Sequence, residues 1–191
     1  EDYLSFDDFF SLKFNIKIDC FIHLASPNYD YSSDSSLEDG IVHLTSNILK
    51  VLNHYNCSKF IFFSSAKIYG EPSLTKKLIF NEESQPNPES DYGKYKLKAE
   101  KNIIEQAKSS NLDYLIYRMP LVYGGSNKSN INKLLTLIEK SYPFLLFKNS
   151  DHIKKSVLSI ENIKLYIKHN INNLDSIKSE IFNITDWSTK A

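Results

Sequence analysis

The sequence predicts an α/β fold in which helices cover both faces of a parallel β-sheet, and three observations support this. Apolar runs of strand length alternate along the chain with longer amphipathic segments of helical period. The apolar runs are continuous, which is typical of strands that are buried on both faces. The chain has 191 residues, of which 41% are hydrophobic, so it can bury one sizeable core, and we find no internal repeat.

The first half of the chain is predicted to contain two strands and one helix. Residues 18–24 form the first apolar run, and a polar loop over 27–36 separates it from an amphipathic helix over 37–55. Lys59–Phe63 is the second strand, and it runs directly into Ser64-Ser65. This order of elements indicates a β-α-β unit.

The second half continues the alternation after a long loop over about 70–90, which holds three of the six prolines. A helix is predicted from Asp91 to Ser109. The later predicted elements are a strand at Tyr114–Tyr117, helices over 130–141 and 160–171, and a strand at Ile181–Ile184.

Composition excludes several classes of function. The 23 basic residues balance the 23 acidic ones, so charge gives no reason to expect nucleic acid or an anionic membrane as a partner. Cys20 and Cys57 are too few for a disulfide framework and fit no metal motif, and the histidines are scattered, so we expect buried thiols and no metal site. No apolar stretch approaches the roughly 20 residues that cross a bilayer, and we see no signal peptide, so we expect a soluble cytoplasmic protein. The chain begins at Glu1 and its only methionine is Met119, which suggests part of a longer protein.

The strongest local signal is a Tyr-x-x-x-Lys pattern formed by Tyr92 and Lys96 within the predicted helix at Asp91–Ser109. Side chains four residues apart lie on the same face of a helix. A phenol with a pKa near about 10 is a poor base at neutral pH, whereas a nearby ammonium favours the phenolate and lowers that pKa. The spacing therefore predicts an acid/base pair, with an ordinary surface Tyr–Lys pair as the alternative.

Ser64 and Ser65 are the second signal, because they follow a buried strand directly. Open parallel sheets bind ligands at the carboxyl ends of their strands. A hydroxyl there can hydrogen-bond a substrate oxygen, and the alternative is a serine pair that only opens a loop.

Six segments, in order, resemble the motifs of extended short-chain dehydrogenases/reductases, specifically the NAD-dependent nucleotide-sugar epimerase/dehydratase family and its bacterial UDP-sugar 4-epimerase and 4-keto-reductase members. Phe60–Gly70 resembles the family's Ser-Ser-x-x-Val-Tyr-Gly motif, and Asp91–Glu100 resembles its Tyr-Gly-x-Ser-Lys-x-x-x-Glu helix. The other matching segments are Asp19–Ser26, Tyr117–Gly124, Lys154–Asn162 and Ile181–Asp186.

The resemblance implies a Rossmann-like, doubly wound parallel sheet. Residues 1–124 would be a partial NAD(P)-binding domain with the catalytic helix, and residues 125–191 a partial substrate-binding lobe interleaved with the last strands. The family's Gly-rich pyrophosphate loop and its acidic ribose ligand are absent from the sequence. We therefore expect a fold that lacks its N-terminal β-α-β region.

The resemblance also implies roles for the matched residues. Tyr92 would be the acid/base, and Lys96 would lower its pKa and hold the nicotinamide ribose. Ser65 would bind the sugar's C4 oxygen, with Ser64 as the alternative and as a neighbour of the cofactor.

Three further residues would complete the binding sites. Ala25 and Ser26 would line the nicotinamide nucleotide of NAD or NADP. Lys155 would stand where the family has an arginine facing the substrate diphosphate, although lysine lacks the bidentate grip of arginine.

The reaction is expected to be redox chemistry at C4 of a UDP-sugar or other nucleotide sugar, in the synthesis of surface polysaccharide precursors. Ala66 and Lys67 stand where the family's dehydratases carry an Asp-Glu pair, which argues against a dehydratase. A 4-epimerase and a 4-keto reductase remain open, with UDP-N-acetyl-6-deoxyhexoses as the first substrates to try. The resemblance implies a homodimer through the helices at 37–55 and 92–109. The competing interpretation is a truncated or degenerate domain without activity, which the missing glycines and Ile41, at a position where the family has asparagine, would favour.

Overall fold

A computed structural model describes residues 9–11, 17–27, 34–70, 79–125, 136, 139–140 and 155–186. Its strands are β1 (Phe21–His23), β2 (Lys59–Ser65), β3 (Asp113–Met119), β4 (Leu121–Tyr123), β5 (Val157–Ser159) and β6 (Glu180–Asn183). Four of them form one sheet in the order β1-β2-β3-β6, and all of its pairings are parallel. The predicted parallel sheet is therefore confirmed.

The helices are α1 (Asp34–Glu38), α2 (Leu44–His54), α3 (Asp91–Ser109) and α4 (Ile160–Asn172), with a π-helical turn at Asp39–His43 between α1 and α2. The bounds of α3 coincide with those predicted. Ser90 caps the first turn of α3 by accepting a hydrogen bond from the Gly93 N–H, which accounts for the start of the helix at Asp91. Ile41, at 1% exposure, packs into the core, so its departure from the family pattern does not prevent this region from becoming helical.

The sheet separates two hydrophobic cores, because successive side chains of a strand point to opposite faces. On β2, Phe60 and Phe62 face α2 and α3, whereas Ile61 and Phe63 face α4. Both faces of the sheet are thus covered by helices, which explains the continuous apolar runs in the sequence.

A second, two-stranded parallel sheet of β4 and β5 is the main addition to the predicted elements. Leu121 pairs with Val157, and Tyr123 pairs with Ser159. Strands of three residues are too short to show a period of two, so this pairing was not predicted. Two smaller differences are that β1 is shorter than the predicted 18–24 and that most of the predicted helix over 130–141 lies outside the described residues.

Short 3₁₀ turns follow two of these elements, at Ala66–Tyr69 after β2 and at Leu174–Ser176 after α4. Within the described ranges, no helix combines the length and the apolar character needed to span a membrane.

Candidate active site

The carboxyl ends of β1 and β2 lie at the same edge of the sheet, because the two strands are parallel neighbours. His23 pairs with Phe62, and Ser65 at the end of β2 pairs with Met119 of β3. Ala25 and Ser26 follow β1 after Leu24, with Ala25 exposed and Ser26 partly buried. The candidate binding residues at the ends of both strands therefore lie at this edge of the sheet.

Lys96 reaches the end of β2 from α3. Its side chain is buried, and its Nζ donates a hydrogen bond to the Phe63 carbonyl oxygen at 2.9 Å. The same Nζ lies 4.7 Å from the centroid of the Phe62 ring and 5.8 Å from that of Tyr92. Tyr92 and Lys96 are thus adjacent, as the helical spacing predicts, and their catalytic roles stay a prediction.

The electrostatics of this pair differ from the expectation. Burial raises the pKa of Tyr92 to about 12. Burial also lowers the pKa of Lys96 to about 8, and the nearby Glu100 carboxylate opposes this shift. Loss of water around the phenol therefore dominates, and the pKa of Tyr92 lies above its ordinary value rather than below it. The role of Lys96 in stabilising the phenolate stays a prediction.

The two serines at the end of β2 point in opposite directions, as alternation along a strand requires. Ser64 is buried, and its hydroxyl donates to the Glu100 carboxylate on α3. Ser65 is only partly buried, and its Oγ accepts a hydrogen bond from the Lys67 N–H at 3.2 Å. The Ser64 hydroxyl is already engaged by Glu100, so Ser65 is the better candidate for the substrate hydroxyl, and the roles of both serines stay predictions.

A buried ion pair behind these serines was missed in the sequence. Arg118 of β3 donates from Nη2 to Glu100 Oε2 at 2.7 Å, and the two side chains are 5% and 1% exposed. Arg118 also donates from Nη1 to the Tyr69 hydroxyl at 2.8 Å. Arg118 is the only arginine among the 23 basic residues, and this was a usable signal, because a site that needs forked donors cannot exchange arginine for lysine.

His23 is a buried residue at the end of β1. Its Nε2 lies 3.0 Å from Thr45 Oγ1, and that hydroxyl donates its own proton to the Ile41 carbonyl, so Nε2 is the donor. Burial, assisted by the positive charge of Lys96, lowers the pKa of His23 to about 4. The imidazole is therefore neutral at physiological pH.

Lys155 belongs to a different part of the chain, next to the second sheet. It is exposed and precedes β5 by two residues. This sheet is fastened by Asp186, whose carboxylate accepts hydrogen bonds from the Tyr123 hydroxyl at 2.6 Å, the Ser159 N–H at 2.8 Å and the Asn162 amide at 2.7 Å. The region that would face the substrate diphosphate is thus held by one carboxylate.

The other candidate groups have ordinary roles. Cys20 and Cys57 are free thiols, and burial raises the pKa of each, that of Cys20 to about 11. In the part of the chain that the structure describes, no three His, Cys, Asp or Glu side chains are grouped so that they could hold a metal ion.

The sequence is similar to those of known proteins. The sequence pattern of the NAD dependent epimerase/dehydratase family matches residues 2–179. A UDP-glucose 4-epimerase of Vibrio cholerae is 37% identical over 119 residues, which are 62% of this chain and 36% of that protein. A putative UDP-glucose 4-epimerase of Methanocaldococcus jannaschii is 33% identical over 117 residues, or 59% of this chain and 37% of that protein. These matches span little more than a third of the relatives' length.

Solved structures share the fold. UDP-glucuronic acid 4-epimerase from Bacillus cereus, in complex with UDP-glucuronic acid and NAD, aligns with a TM-score of 0.76 at 23% identity, covering 95% of this chain and 57% of that one. RMD from Pseudomonas aeruginosa, complexed with NADPH, aligns with a TM-score of 0.75 at 19% identity, covering 95% and 65%. The Rossmann-like architecture expected from the sequence is confirmed.

Proposed function

The chain belongs to the NAD-dependent epimerase/dehydratase family, and we propose that it carries the catalytic residues for NAD(P)-dependent redox chemistry at C4 of a nucleotide sugar. One observation carries the proposal. Tyr92 and Lys96 lie one turn apart on α3, and Lys96 is anchored to Phe63 immediately before Ser64-Ser65, at the edge where parallel sheets bind ligands.

The cofactor's nicotinamide ribose fits the residues at this edge. The Phe63 oxygen occupies one of the three N–H donors of the Lys96 ammonium, which leaves donor capacity for ribose hydroxyls. Ala25 and Ser26 would line the same part of the cofactor. The five glycines of the chain form no Gly-rich loop for the pyrophosphate, so these residues account for one end of the cofactor only.

Tyr92 and Ser65 would handle the C4 oxygen, while the bound cofactor supplies or accepts hydride at C4. With a pKa of about 12, Tyr92 holds its proton at neutral pH and can donate it to the C4 oxygen as a carbonyl is reduced. Ser65 would hydrogen-bond the same oxygen. A charged Lys96 would stabilise the phenolate that remains.

The substrate class follows from two kinds of support. Ala66 and Lys67 supply no acid–base carboxylates after Ser65, which disfavours a dehydratase. The relatives are named as UDP-glucose 4-epimerases, which favours a UDP-sugar. We therefore propose a 4-epimerase or 4-keto reductase that acts on UDP-hexoses, with UDP-N-acetyl-6-deoxyhexoses for surface polysaccharides as the first candidates and Lys155 facing the diphosphate. A homodimer through the α1–α2 region and α3 belongs to the same proposal.

The test is Tyr92→Phe in the protein encoded by the complete gene. We expect turnover to fall by about 10²- to 10⁴-fold while NADH affinity, measured by calorimetry, stays within about twofold, because only the proton donor is removed. Tyr55→Phe is the matched control, since its hydroxyl is buried and no described residue hydrogen-bonds it. Unchanged turnover in Tyr92→Phe would exclude the acid/base role.

The assay also separates the reactions. An epimerase interconverts the C4 epimers, seen by proton NMR, without net NADH consumption, whereas a 4-keto reductase consumes one NADH per sugar. Failure of the wild-type protein to bind NADH at all would favour the degenerate, inactive domain.

A further inference from the structure

We propose that Glu100 is a positioning residue of this site, which fixes the end of β2 through Ser64 and keeps the Lys96 ammonium charged. The inference rests on the proposed function for the roles of Lys96 and Ser65. It assigns Glu100 no contact with substrate or cofactor.

The geometry of α3 against β2 is the first support. Lys96 and Glu100 are one helical turn apart, and they bind consecutive residues of the strand, the Phe63 carbonyl and the Ser64 hydroxyl. The next residue of β2 is Ser65. The helix that carries Tyr92 therefore grips the strand immediately before the proposed substrate hydroxyl.

The Glu100 carboxylate is itself held by Arg118 of β3 and is linked through Arg118 to two further elements. Arg118 of β3 binds both of its oxygens, with Nε at 3.2 and 3.3 Å and Nη2 at 2.7 Å. Arg118 is in turn bound to Tyr69 in the 3₁₀ turn after β2, and the Tyr69 hydroxyl donates to Asn183 of β6 at 2.9 Å. Glu100 thus connects α3 to the ends of β2, β3 and β6.

The negative charge of Glu100 also favours the charged form of Lys96, which lies one helical turn away. The groups that face Lys96 are Tyr92 and Glu100 on α3, the neutral His23 on β1 and the Phe63 carbonyl on β2, with Arg118 of β3 on the same carboxylate. Burial lowers the pKa of Lys96 to about 8, and Glu100 counteracts this. Removing the carboxylate should therefore let Lys96 lose its proton at a lower pH.

The decisive experiment compares Glu100→Gln and Ser64→Ala in the protein encoded by the complete gene, with kcat and KM measured from about pH 6 to 10. We expect Glu100→Gln to shift the basic limb of the kcat profile about one unit lower, because a neutral amide replaces the carboxylate. Ser64→Ala should leave that limb in place and lower kcat about 10- to 100-fold at nearly constant KM, because the strand end loses its anchor.

A merely structural role would reduce stability without moving the basic limb. Because Glu100→Gln leaves a buried guanidinium without a charged partner, the double variant Glu100→Gln/Arg118→Met is made as well. It should shift the limb in the same direction but by less, because the Arg118 cation, which disfavours a charged Lys96, is also removed. A basic limb that superposes on that of the wild type in both variants would overturn the proposal, as would an unchanged kcat in Ser64→Ala.

A readout without turnover separates this proposal from the proposed function. The titration of Lys96 is followed by NMR of ¹³Cε-lysine, assigned with Lys96→Met, in the wild type and in the two Glu100 variants. A lower Lys96 pKa in the variants supports the proposal even if no nucleotide sugar is turned over, and identical titrations overturn it even if the wild type is an active epimerase.

Discussion

Two carboxylates organise the two halves of the candidate site, and they do so in different surroundings. Glu100 belongs to a buried network with Ser64, Arg118 and Tyr69, whereas Asp186 forms a clamp at the surface. Each carboxylate accepts several hydrogen bonds, yet Glu100 and Arg118 are almost fully buried and Asp186 is partly exposed. We therefore expect burial, rather than the number of hydrogen bonds, to decide how much stability the loss of a partner costs.

The difference has a functional side as well. The buried network lies behind Lys96 and Ser65, for which we propose catalytic roles that require fixed distances. The Asp186 clamp joins β4, β5 and α4, close in sequence to Lys155, for which we propose a contact with the substrate. Substitutions and pH changes in the two halves test this division.

Arg118→Met tests the buried network most severely. It leaves the Glu100 carboxylate buried without its cation, so we expect the free energy of unfolding to fall by about 3–5 kcal/mol in urea titrations. Lys164→Met is the matched control, because it breaks the exposed Lys164–Glu161 pair and should cost less than about 0.5 kcal/mol. Equal losses in the two variants would contradict the importance of burial.

The burial of His23, on the same side of the sheet, can be tested through the pH dependence of the free energy of unfolding. Its pKa of about 4 lies below the ordinary value of 6.5, so between these values the unfolded chain binds a proton that the folded chain does not. The free energy of unfolding should therefore fall by about 3 kcal/mol as the pH drops from 6.5 to 4.

The His23→Gln variant, which can still donate to Thr45, should lose most of this dependence on pH. His43→Gln, at an exposed position of the π-helical turn, should retain it. A wild-type curve that is flat over this range would show that His23 is not buried as described.

Features that depend on neighbouring residues in the sequence could be predicted, whereas features that depend on contacts between distant parts of the chain could not. Periodicity and run length are local, and they predicted the bounds of α3 and the parallel sheet correctly. The adjacency of Tyr92 and Lys96 is likewise local, since helical spacing dictates it. Motif resemblance extended the prediction to Ser65.

The features that were missed depend on contacts between distant parts of the chain. The Glu100–Arg118 pair joins a helix to a strand. The sequence marks Arg118 as the only arginine, but it does not show that Glu100 is the partner. The pKa of Tyr92 was misjudged because the sequence shows the nearby cation and does not show the loss of water around the phenol. The exposure of Ser65 and the burial of Ser64 follow from which face of β2 meets α3, which requires the packed sheet.

Gly93→Ala tests how closely α3 approaches the turn after Ser65. A Cβ at Gly93 would lie 2.7 Å from the Lys67 carbonyl oxygen and 3.1 Å from Pro88 Cβ. The oxygen belongs to the backbone, so the 3₁₀ turn has to move away from α3, and we expect a loss of about 1–3 kcal/mol with lowered turnover.

Gly125→Ala, next to the second sheet, is the control for Gly93→Ala. Its Cβ would make an ordinary 3.5 Å contact with Ile160 Cδ1 and should change stability by less than about 0.5 kcal/mol. A well-tolerated Gly93→Ala would show that the 3₁₀ turn adapts without disturbing the site.

Asp186→Asn should have the smallest effect. Like Glu100→Gln it replaces a carboxylate with an amide, but at a partly exposed position instead of a buried one. The Ser159 N–H, followed by the Tyr123 hydroxyl, lowers the pKa of Asp186, so its stabilising contribution is present above the ordinary carboxyl value and is lost in acid. An amide keeps one acceptor, and water can serve the remaining donors at the surface, so we expect a loss of only about 1 kcal/mol.

The kinetic consequence of Asp186→Asn should appear in substrate binding. Movement of the segment that carries Lys155 should raise KM for the nucleotide sugar and leave kcat close to that of the wild type. Asp175→Asn, at an exposed turn, should change neither constant. A loss of kcat as large as that of Ser64→Ala would mean that the exposed clamp also positions the reacting groups, and the division between a fixed catalytic half and an adaptable binding half would then fail.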